Sequence, residues 1–271
     1  MRRRFTRFVL ALLWLLIVQD VYAAETELSF VRICDDAGEW PPYTFYRVEN
    51  GKKEIAGYAV DVAREILESN HIKYSIELPS WKRCLLEVRK ARQFDMLLNA
   101  SYTEERSKQY LYSLPYYWTH LYFFYLQQRF PDGLGEMEKR LLDTYVIGGL
   151  SGYNYTYLEH PGDSMDTDSV TYDHLFLKLR SGKVDLITAD YEIMQGFAHK
   201  GLDLIATPGM QYTPIPNSPP QGYHMMFPRT PEGEYLKALM DTGITKMQKD
   251  GRLQEILDSY ISPTEQVRND P

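Results

Sequence analysis

The motif Ser-x-Thr-x-x-Arg at residues 101–106 is suited to binding an anion. Thr103 is placed to cap a short helix, whose first backbone N–H groups then have no partner inside the helix. Those N–H groups and the Arg106 guanidinium together predict an anion site, because arginine binds a carboxylate through two parallel hydrogen bonds. The alternative is that Arg106 pairs with Glu104, Glu105 or another surface acid.

Asp190 follows residues 184–188, which the sequence predicts to be a buried strand. In open α/β sheets, ligands gather at the carboxyl ends of the strands, so this carboxylate is a candidate binding group. The alternative is a helix cap, since a helix is predicted to begin at Tyr191 and an aspartate serves there as a cap in many proteins.

The sequence shows no catalytic or metal-binding motif. Residues 149–152 come within one residue of a nucleophile elbow, but Tyr153 stands where that motif requires glycine. There is no glycine-rich phosphate-binding motif and no HExxH motif, and the six histidines lack metal-ligand spacing. Asp35 and Asp36 are adjacent acids, which are usually solvated on a loop. We therefore expect no enzyme activity, no cofactor and no metal.

The composition and the first residues indicate a globular protein that is exported. Of 271 residues, 44% are hydrophobic and 25% are charged, which excludes a disordered chain. The net charge of −7 and the pI of about 5.5 argue against a nucleic-acid partner. Four arginines, an apolar run over residues 8–18 and the small residues around Ala23 predict a signal peptide over residues 1–23. A membrane anchor is the alternative, but it would need about 20 apolar residues.

Cys34 and Cys84 are the only cysteines in the chain. In the oxidising compartment that the signal peptide predicts, such a pair is more often bridged than free. A bridge would contribute roughly 4 kcal/mol to stability in the chain-entropy model. The alternative is two buried free thiols.

The candidate residues lie on an alternating series of strands and helices. In the first part of the chain, strands are predicted at residues 28–33, 72–78 and 94–98, and helices at residues 60–69 and 82–92. After an aromatic, strand-like run over residues 116–127, strands are predicted at residues 145–150, 184–188, 202–206 and 222–227. The later helices are predicted at residues 134–142, 154–158, 172–180, 191–199, 232–249 and 253–260, with a proline-rich loop at 208–220. This alternation predicts parallel pairing in an α/β fold.

Several short motifs, in their order and spacing, resemble those of the bacterial family 3 extracellular solute-binding proteins. They are Pro42-Tyr43, Gly57-Tyr58-Ala59-Val60-Asp61-Val62, Phe94-Asp95, residues 101–106, Ser113-Leu114-Pro115-Tyr116-Tyr117, Gly182-Lys183-Val184-Asp185, Asp190 and Asp250-Gly251. The resemblance covers roughly residues 28–261. It implies an α/β fold of two Rossmann-like lobes joined by two hinge strands, the type II fold of periplasmic binding proteins.

The resemblance also implies how the chain divides. The first lobe is expected to hold residues 24–119 plus 226–262, the second lobe residues 120–225 including the hinge strands, and a tail residues 263–271. The two crossings are expected near residues 119–125 and 221–227. A ligand would bind between the lobes, which close by a hinge motion.

The same resemblance implies roles for individual residues. In the family, the arginine that matches Arg106 holds the α-carboxylate of the ligand, and the acid that matches Asp190 takes its α-ammonium. Trp40 and Trp81 match aromatic positions that sandwich the ligand; the alternative for both is partial burial at a lobe surface. An indole face also binds cations.

Smaller side chains near these positions are expected to complete the site. Asn99 and Ser101, at the mouth of the third predicted strand, would add hydrogen bonds to the ligand. Asp36 matches a position that in some members contacts the ligand side chain, although it also suits a turn cap.

The chain departs from the family pattern after Gly152. Two small hydroxyl residues are common there, whereas this chain has Tyr153 and Asn154. Asn154 can still donate to a carboxylate, but the bulk of Tyr153 predicts a site that is narrower or rebuilt for another ligand.

The resulting expectation is a monomeric periplasmic protein that captures a small carboxylate or zwitterion, such as an amino acid or a derivative, and delivers it to an ABC permease. The alternatives are a soluble ligand sensor for a membrane receptor and a periplasmic dehydratase-like enzyme on the same fold.

Overall fold

A computed structural model describes residues 28–135, 144–158 and 165–261 of the chain. The predicted signal peptide, most of the predicted helix at residues 134–142 and the predicted tail lie outside these described residues. Within them, no helix is long and apolar enough to cross a membrane.

The first lobe is built on a six-stranded sheet with the strand order β4-β1-β5-β13-β6, in which β7 also pairs with β13. The strands are β1 Phe30–Cys34, β4 Lys73–Glu77, β5 Met96–Ser101, β6 Tyr110–Tyr112, β7 Tyr117–Thr119 and β13 Gln221–Pro228. A separate hairpin pairs β2 Phe45–Glu49 with β3 Lys52–Ala56. β1 runs parallel to β4 and β5, whereas β13 runs antiparallel to its neighbours.

Five helices complete the first lobe: α1 Tyr58–Ser69, α2 Trp81–Arg89, α3 Glu104–Ser107, α6 Pro231–Lys249 and α7 Arg252–Asp258. The apolar positions of α1 recur with helical spacing, so Val62, Ala63 and Ile66 face the core and are buried. The two C-terminal helices pack against α1. The end of the described chain therefore packs with the first lobe.

The second lobe is built on a five-stranded sheet with the order β10-β9-β11-β8-β12. Its strands are β8 Leu121–Leu126, β9 Ile147–Leu150, β10 Met165–Ser169, β11 Leu186–Asp190 and β12 Met210–Pro214, and its helices are α4 Tyr172–Arg180 and α5 Tyr191–His199. β9, β10 and β11 are parallel, and β8 and β12 are antiparallel to their partners. All five residues of β11 are buried, which agrees with the apolar Leu186, Ile187 and Ala189 that precede Asp190.

The chain crosses between the two sheets twice. The predicted aromatic run at residues 116–127 is two strands, β7 in the first sheet and β8 in the second, separated by His120 alone. The chain returns through residues 215–220, between β12 and β13. The division predicted from the sequence assigns residues 221–225 to the second lobe, whereas Gln221 and Tyr223 pair with Thr119 and Tyr117 in the first sheet.

The predicted disulfide between Cys34 and Cys84 is present, with the two Cα atoms 5.8 Å apart. Both residues are fully buried. The bridge joins the end of β1 to the first turn of α2, and so it fixes the helix that begins at Trp81.

Three local predictions are wrong. Residues 154–158 form turns and no helix, because the Asn154 side chain accepts hydrogen bonds from the backbone and hydroxyl of Thr156 and so replaces helical bonding. Residues 202–206 form no strand, and the outermost strand of the sheet is instead β12, inside the predicted loop at 208–220. Pro214 is tolerated at the end of β12 because an edge strand has neighbours on one side only.

Candidate functional site

A cavity between the two sheets is lined by all eight residues that the sequence predicts to bind a ligand. They are Arg106, Asp190, Trp40, Trp81, Ser101, Asn99, Asn154 and Tyr153. Its volume is about 30 Å³, which has room for no more than a few water molecules. The side chains of the two lobes therefore fill most of the cleft.

Arg106 is held at the cavity by the start of α3. Its backbone N–H donates to Oγ1 of Thr103 at 3.0 Å, which is the predicted cap. The guanidinium donates from Nη2 to the Gly152 carbonyl at 2.7 Å and from Nη1 to the Ser101 carbonyl at 3.4 Å. Among the described residues Arg106 forms no ion pair, and Glu104 is paired with Lys108 instead. A cation that faces only neutral acceptors is well suited to receive a carboxylate.

Asp190 ends β11 on the second-lobe side of the cavity and is buried. Its Oδ1 accepts hydrogen bonds from Oγ1 of Thr119 and, at 2.8 Å, from the Tyr223 hydroxyl. Although Asp190 occupies the N-cap position of α5, its side chain makes no capping hydrogen bond. Burial raises the pKa of Asp190 to about 7, and the two hydroxyl donors partly offset that effect. The carboxyl is thus poised to lose its proton when a cation approaches.

Trp81 and Trp40 line the first-lobe side of the cavity and are 6% and 3% exposed, so neither sits half-exposed at a lobe surface. The Trp81 indole donates to the Gly152 carbonyl at 3.2 Å, and its ring centre lies 5.9 Å from Cζ of Arg106. The Trp40 indole donates to the Tyr117 hydroxyl at 3.1 Å.

Tyr153 and Asn154 enter the cleft from the second lobe. The Tyr153 hydroxyl donates to Oδ2 of Asp36 at 2.8 Å, across the gap between the lobes. Asn154 donates to the carbonyl of Tyr102 at 3.4 Å. Burial raises the pKa of Asp36, and the hydrogen bond from Tyr153 offsets part of that rise.

The sequence model of the bacterial extracellular solute-binding proteins, family 3, matches residues 32–263. The chain belongs to this family. The fold and the family expected from the sequence are therefore both confirmed.

Two named relatives align with large parts of the chain. The arginine-binding periplasmic protein of Mannheimia haemolytica is 27% identical over 173 residues, covering 61% of this chain and 67% of the relative. The L-cystine-binding protein TcyJ of Escherichia coli strain K12 is 26% identical over 229 residues, covering 83% of this chain and 80% of the relative.

Solved structures share the fold of this family member at low sequence identity. The substrate-binding protein AbpA of an amino acid ABC transporter from Streptococcus pneumoniae, bound to L-arginine, superposes with a TM-score of 0.70 at 19% identity, covering 89% of this chain and 97% of that one. A histidine kinase sensor domain similar to periplasmic binding proteins superposes with a TM-score of 0.69 at 17% identity, covering 86% and 96% of the two chains.

Asn99 lines the same cavity but differs from the other predicted residues in its hydrogen bonding. Its side chain forms all of its hydrogen bonds within the first lobe. Its amide donates to Asp35 and Thr44, and its carbonyl oxygen accepts from the hydroxyls of Tyr116 at 3.1 Å and Tyr117 at 2.7 Å. These four bonds use the whole capacity of the amide. Asn99 therefore orients Trp40 through Tyr117 and has no free donor or acceptor for a ligand.

Asp35 is the buried acid of this network, and burial raises its pKa to about 8. This burial contradicts the expectation that Asp35 is solvated on a loop. The sequence pattern also does not single out Thr119 and Tyr223, which donate hydrogen bonds to Asp190. They meet because β7 pairs with β13, which brings the two crossings together beside the carboxyl end of β11.

Proposed function

We propose that the protein captures an amino acid, or a close zwitterionic relative, between its two lobes and delivers it to an ABC permease. The observation that carries the proposal is that one cavity receives Arg106 from the first lobe and Asp190 from the second. A zwitterion offers a carboxylate to the guanidinium and an ammonium to the carboxyl. Each lobe then binds one end of the ligand, so only the closed state makes all the contacts.

The polar groups favour a zwitterion over a simple cation such as a polyamine. A carboxylate would replace the neutral Gly152 carbonyl at Arg106, and it adds the attraction between opposite charges and two parallel hydrogen bonds to one guanidinium. A polyamine gains at Asp190 but leaves Arg106 without an anion. Since the two named relatives bind arginine and cystine, these two amino acids head the ligand screen.

A melting-temperature screen of the mature chain tests the proposal. The compounds are amino acids, opines, small peptides and polyamines, and hits are confirmed by calorimetry. A ligand at 100 times its dissociation constant stabilises the fold by about 2.7 kcal/mol. We expect Arg106→Ala to abolish this stabilisation for carboxylate ligands.

Arg83→Ala is the matched control, because Arg83 lies on α2 and donates to Gln93 outside the cavity. This control is expected to bind like the wild type. An Arg106→Ala variant that binds a carboxylate ligand as tightly as the wild type would show that the site is wrong. A screen in which only polyamines bind would exclude the amino-acid class.

Two alternative uses of the same cleft are separated by further measurements. Ligand sensing has one specific observation in its favour, the similarity in fold to the histidine kinase sensor domain. Loss of ligand uptake in cells lacking the protein supports transport, and unchanged uptake supports sensing. A dehydratase-like activity would consume the ligand, whereas we expect NMR spectra to recover it unchanged after prolonged incubation.

We place the protein in the periplasm, after export and removal of the signal peptide at residues 1–23. We also propose that it is a monomer. N-terminal sequencing of the exported protein, with Ala24 expected as the first residue, tests the former. Light scattering tests the latter.

A further inference from the structure

Gly152 and Tyr153 of the second lobe already bind three polar groups of the first lobe that face the cleft. The Gly152 carbonyl accepts from Arg106 at 2.7 Å and from the Trp81 indole at 3.2 Å. The Tyr153 hydroxyl donates to Asp36 at 2.8 Å. The Arg106 guanidinium, the Trp81 indole N–H and the Asp36 carboxylate thus already have hydrogen-bond partners within the protein.

The backbone at Gly152 is shaped for this contact. Its φ of 83° lies in the left-handed region, which favours glycine. A Cβ atom there would lie 3.0 Å from Cγ of Lys82 and 3.4 Å from Cδ1 of Trp81, so the absence of a side chain allows the close approach to α2. The carbonyl thereby reaches two donors of the first lobe, Arg106 and Trp81.

The Tyr153 ring occupies the space between the two tryptophans. Its centre lies 5.5 Å from the ring of Trp40 and 6.2 Å from that of Trp81. On one side of Tyr153 is the inner cavity of about 30 Å³. On the other side is an outer pocket of about 290 Å³, which Asp36 and Trp81 also line. Tyr153 is a wall between the two spaces, and its movement would join them.

We infer that the segment Gly152–Tyr153 is an internal competitor for the ligand, which draws the lobes together by itself and must be displaced when a ligand binds. The inference rests on the proposed function in assuming that a ligand carboxylate binds Arg106 in this cleft. A ligand carboxylate replaces the Gly152 carbonyl at Arg106, and the Tyr153 ring swings away from Asp36. The measured affinity is then lower than the intrinsic affinity of the open site, because part of the binding energy is spent on this displacement.

Tyr153→Phe tests the competitor through ligand affinity, because it keeps the ring and removes the donor to Asp36. Hydrogen bonds to charged groups are strong enough that we expect the variant to bind on the order of tenfold more tightly. Tyr110→Phe is the matched control, since the Tyr110 hydroxyl donates to the Leu85 carbonyl within the first lobe. The control should leave the affinity unchanged. An unchanged or weaker affinity in Tyr153→Phe overturns the inference.

A second measurement needs no ligand. Nitroxide labels at Leu177→Cys on α4 and Tyr235→Cys on α6, both exposed sites on opposite lobes, report the distance between the lobes. The native cysteines form the disulfide and do not react with the label. The ligand-free wild type should show one short distance, and Tyr153→Phe should add a longer one. Identical distance distributions overturn the inference, whether or not the screen finds an amino acid. A screen without hits, combined with the expected shift in distance, would instead count against the proposed ligand.

Discussion

Replacing Gly196 with alanine tests whether binding requires the close contact between the lobes. Gly196 lies on α5 of the second lobe and faces the backbone of Pro41 and Pro42 in the first. A Cβ at Gly196 would lie 2.7 Å from the Pro42 nitrogen, and closer still to the Pro41 carbonyl, whereas real Cβ contacts almost never fall below 3.0 Å. These neighbours are backbone atoms that cannot rotate away, so the lobes must separate to admit the methyl group.

The expected effect on affinity is larger than the effect on stability. Overpacking a tight contact costs about 1–3 kcal/mol, which corresponds to a roughly 5- to 150-fold loss of ligand affinity when the contact belongs to the bound state. Within a helix, alanine is favoured over glycine by about 1 kcal/mol. This preference offsets part of the strain in the ligand-free protein, so its melting temperature should change less than the affinity does.

Calorimetry with the ligand from the screen, together with ligand-free melting curves, separates the two effects. Gly243→Ala is the matched control, because a Cβ at Gly243 would lie 2.7 Å from Cδ1 of Ile66 inside the first lobe. That control should melt at a lower temperature and keep its affinity. A Gly196→Ala protein that binds as tightly as the wild type would refute the reasoning, since the contact would then play no part in the bound state.

The remaining predictions concern pH and the disulfide. Because the pKa of Asp190 is about 7 and a ligand ammonium needs the carboxylate, affinity should fall by up to tenfold per pH unit below pH 7. Calorimetry in buffers of different ionisation enthalpy should detect proton release at neutral pH, and a pH-independent affinity would argue against contact with Asp190. For the disulfide, we expect Cys34→Ser with Cys84→Ser to lower the free energy of unfolding by roughly 4 kcal/mol, as measured by urea titration. Alkylation of the wild type without prior reduction would contradict the bridge.

Much of the fold could be predicted from the sequence because the main elements have strong periodicity and clear ends. The helix at Tyr172–Arg180 has the bounds that the sequence predicts, and in the structure it begins after its capping Thr171. The Cys34–Cys84 pairing followed from the cell compartment and the cysteine count. In both cases, local chemistry and the tertiary structure favour the same answer.

The missed features depend on partners that are distant in sequence. The strand Met210–Pro214 contains a proline and only one fully buried residue, so its pairing with β8 leaves no periodic pattern to detect. Likewise, Asn99 resembles a ligand-binding residue until Tyr116, Tyr117 and Asp35 are found around its amide. The order of the motifs in the sequence predicts where the cleft lies. The hydrogen bonds that fill the cleft are visible only in the three-dimensional structure.

The two crossings also determine the order in which the molecule can be assembled. The second sheet comes from one continuous stretch of chain, from Leu121 in β8 to Pro214 in β12. The first sheet has β13 between β5 and β6, so it stays incomplete until the chain has passed Pro228. When the chain emerges from its N-terminus onward, the second lobe can therefore collapse before the central antiparallel strand of the first lobe is available. The pairing of β13 with β5, β6 and β7 is then the late, long-range step that brings Tyr223 to Asp190 and completes the cleft.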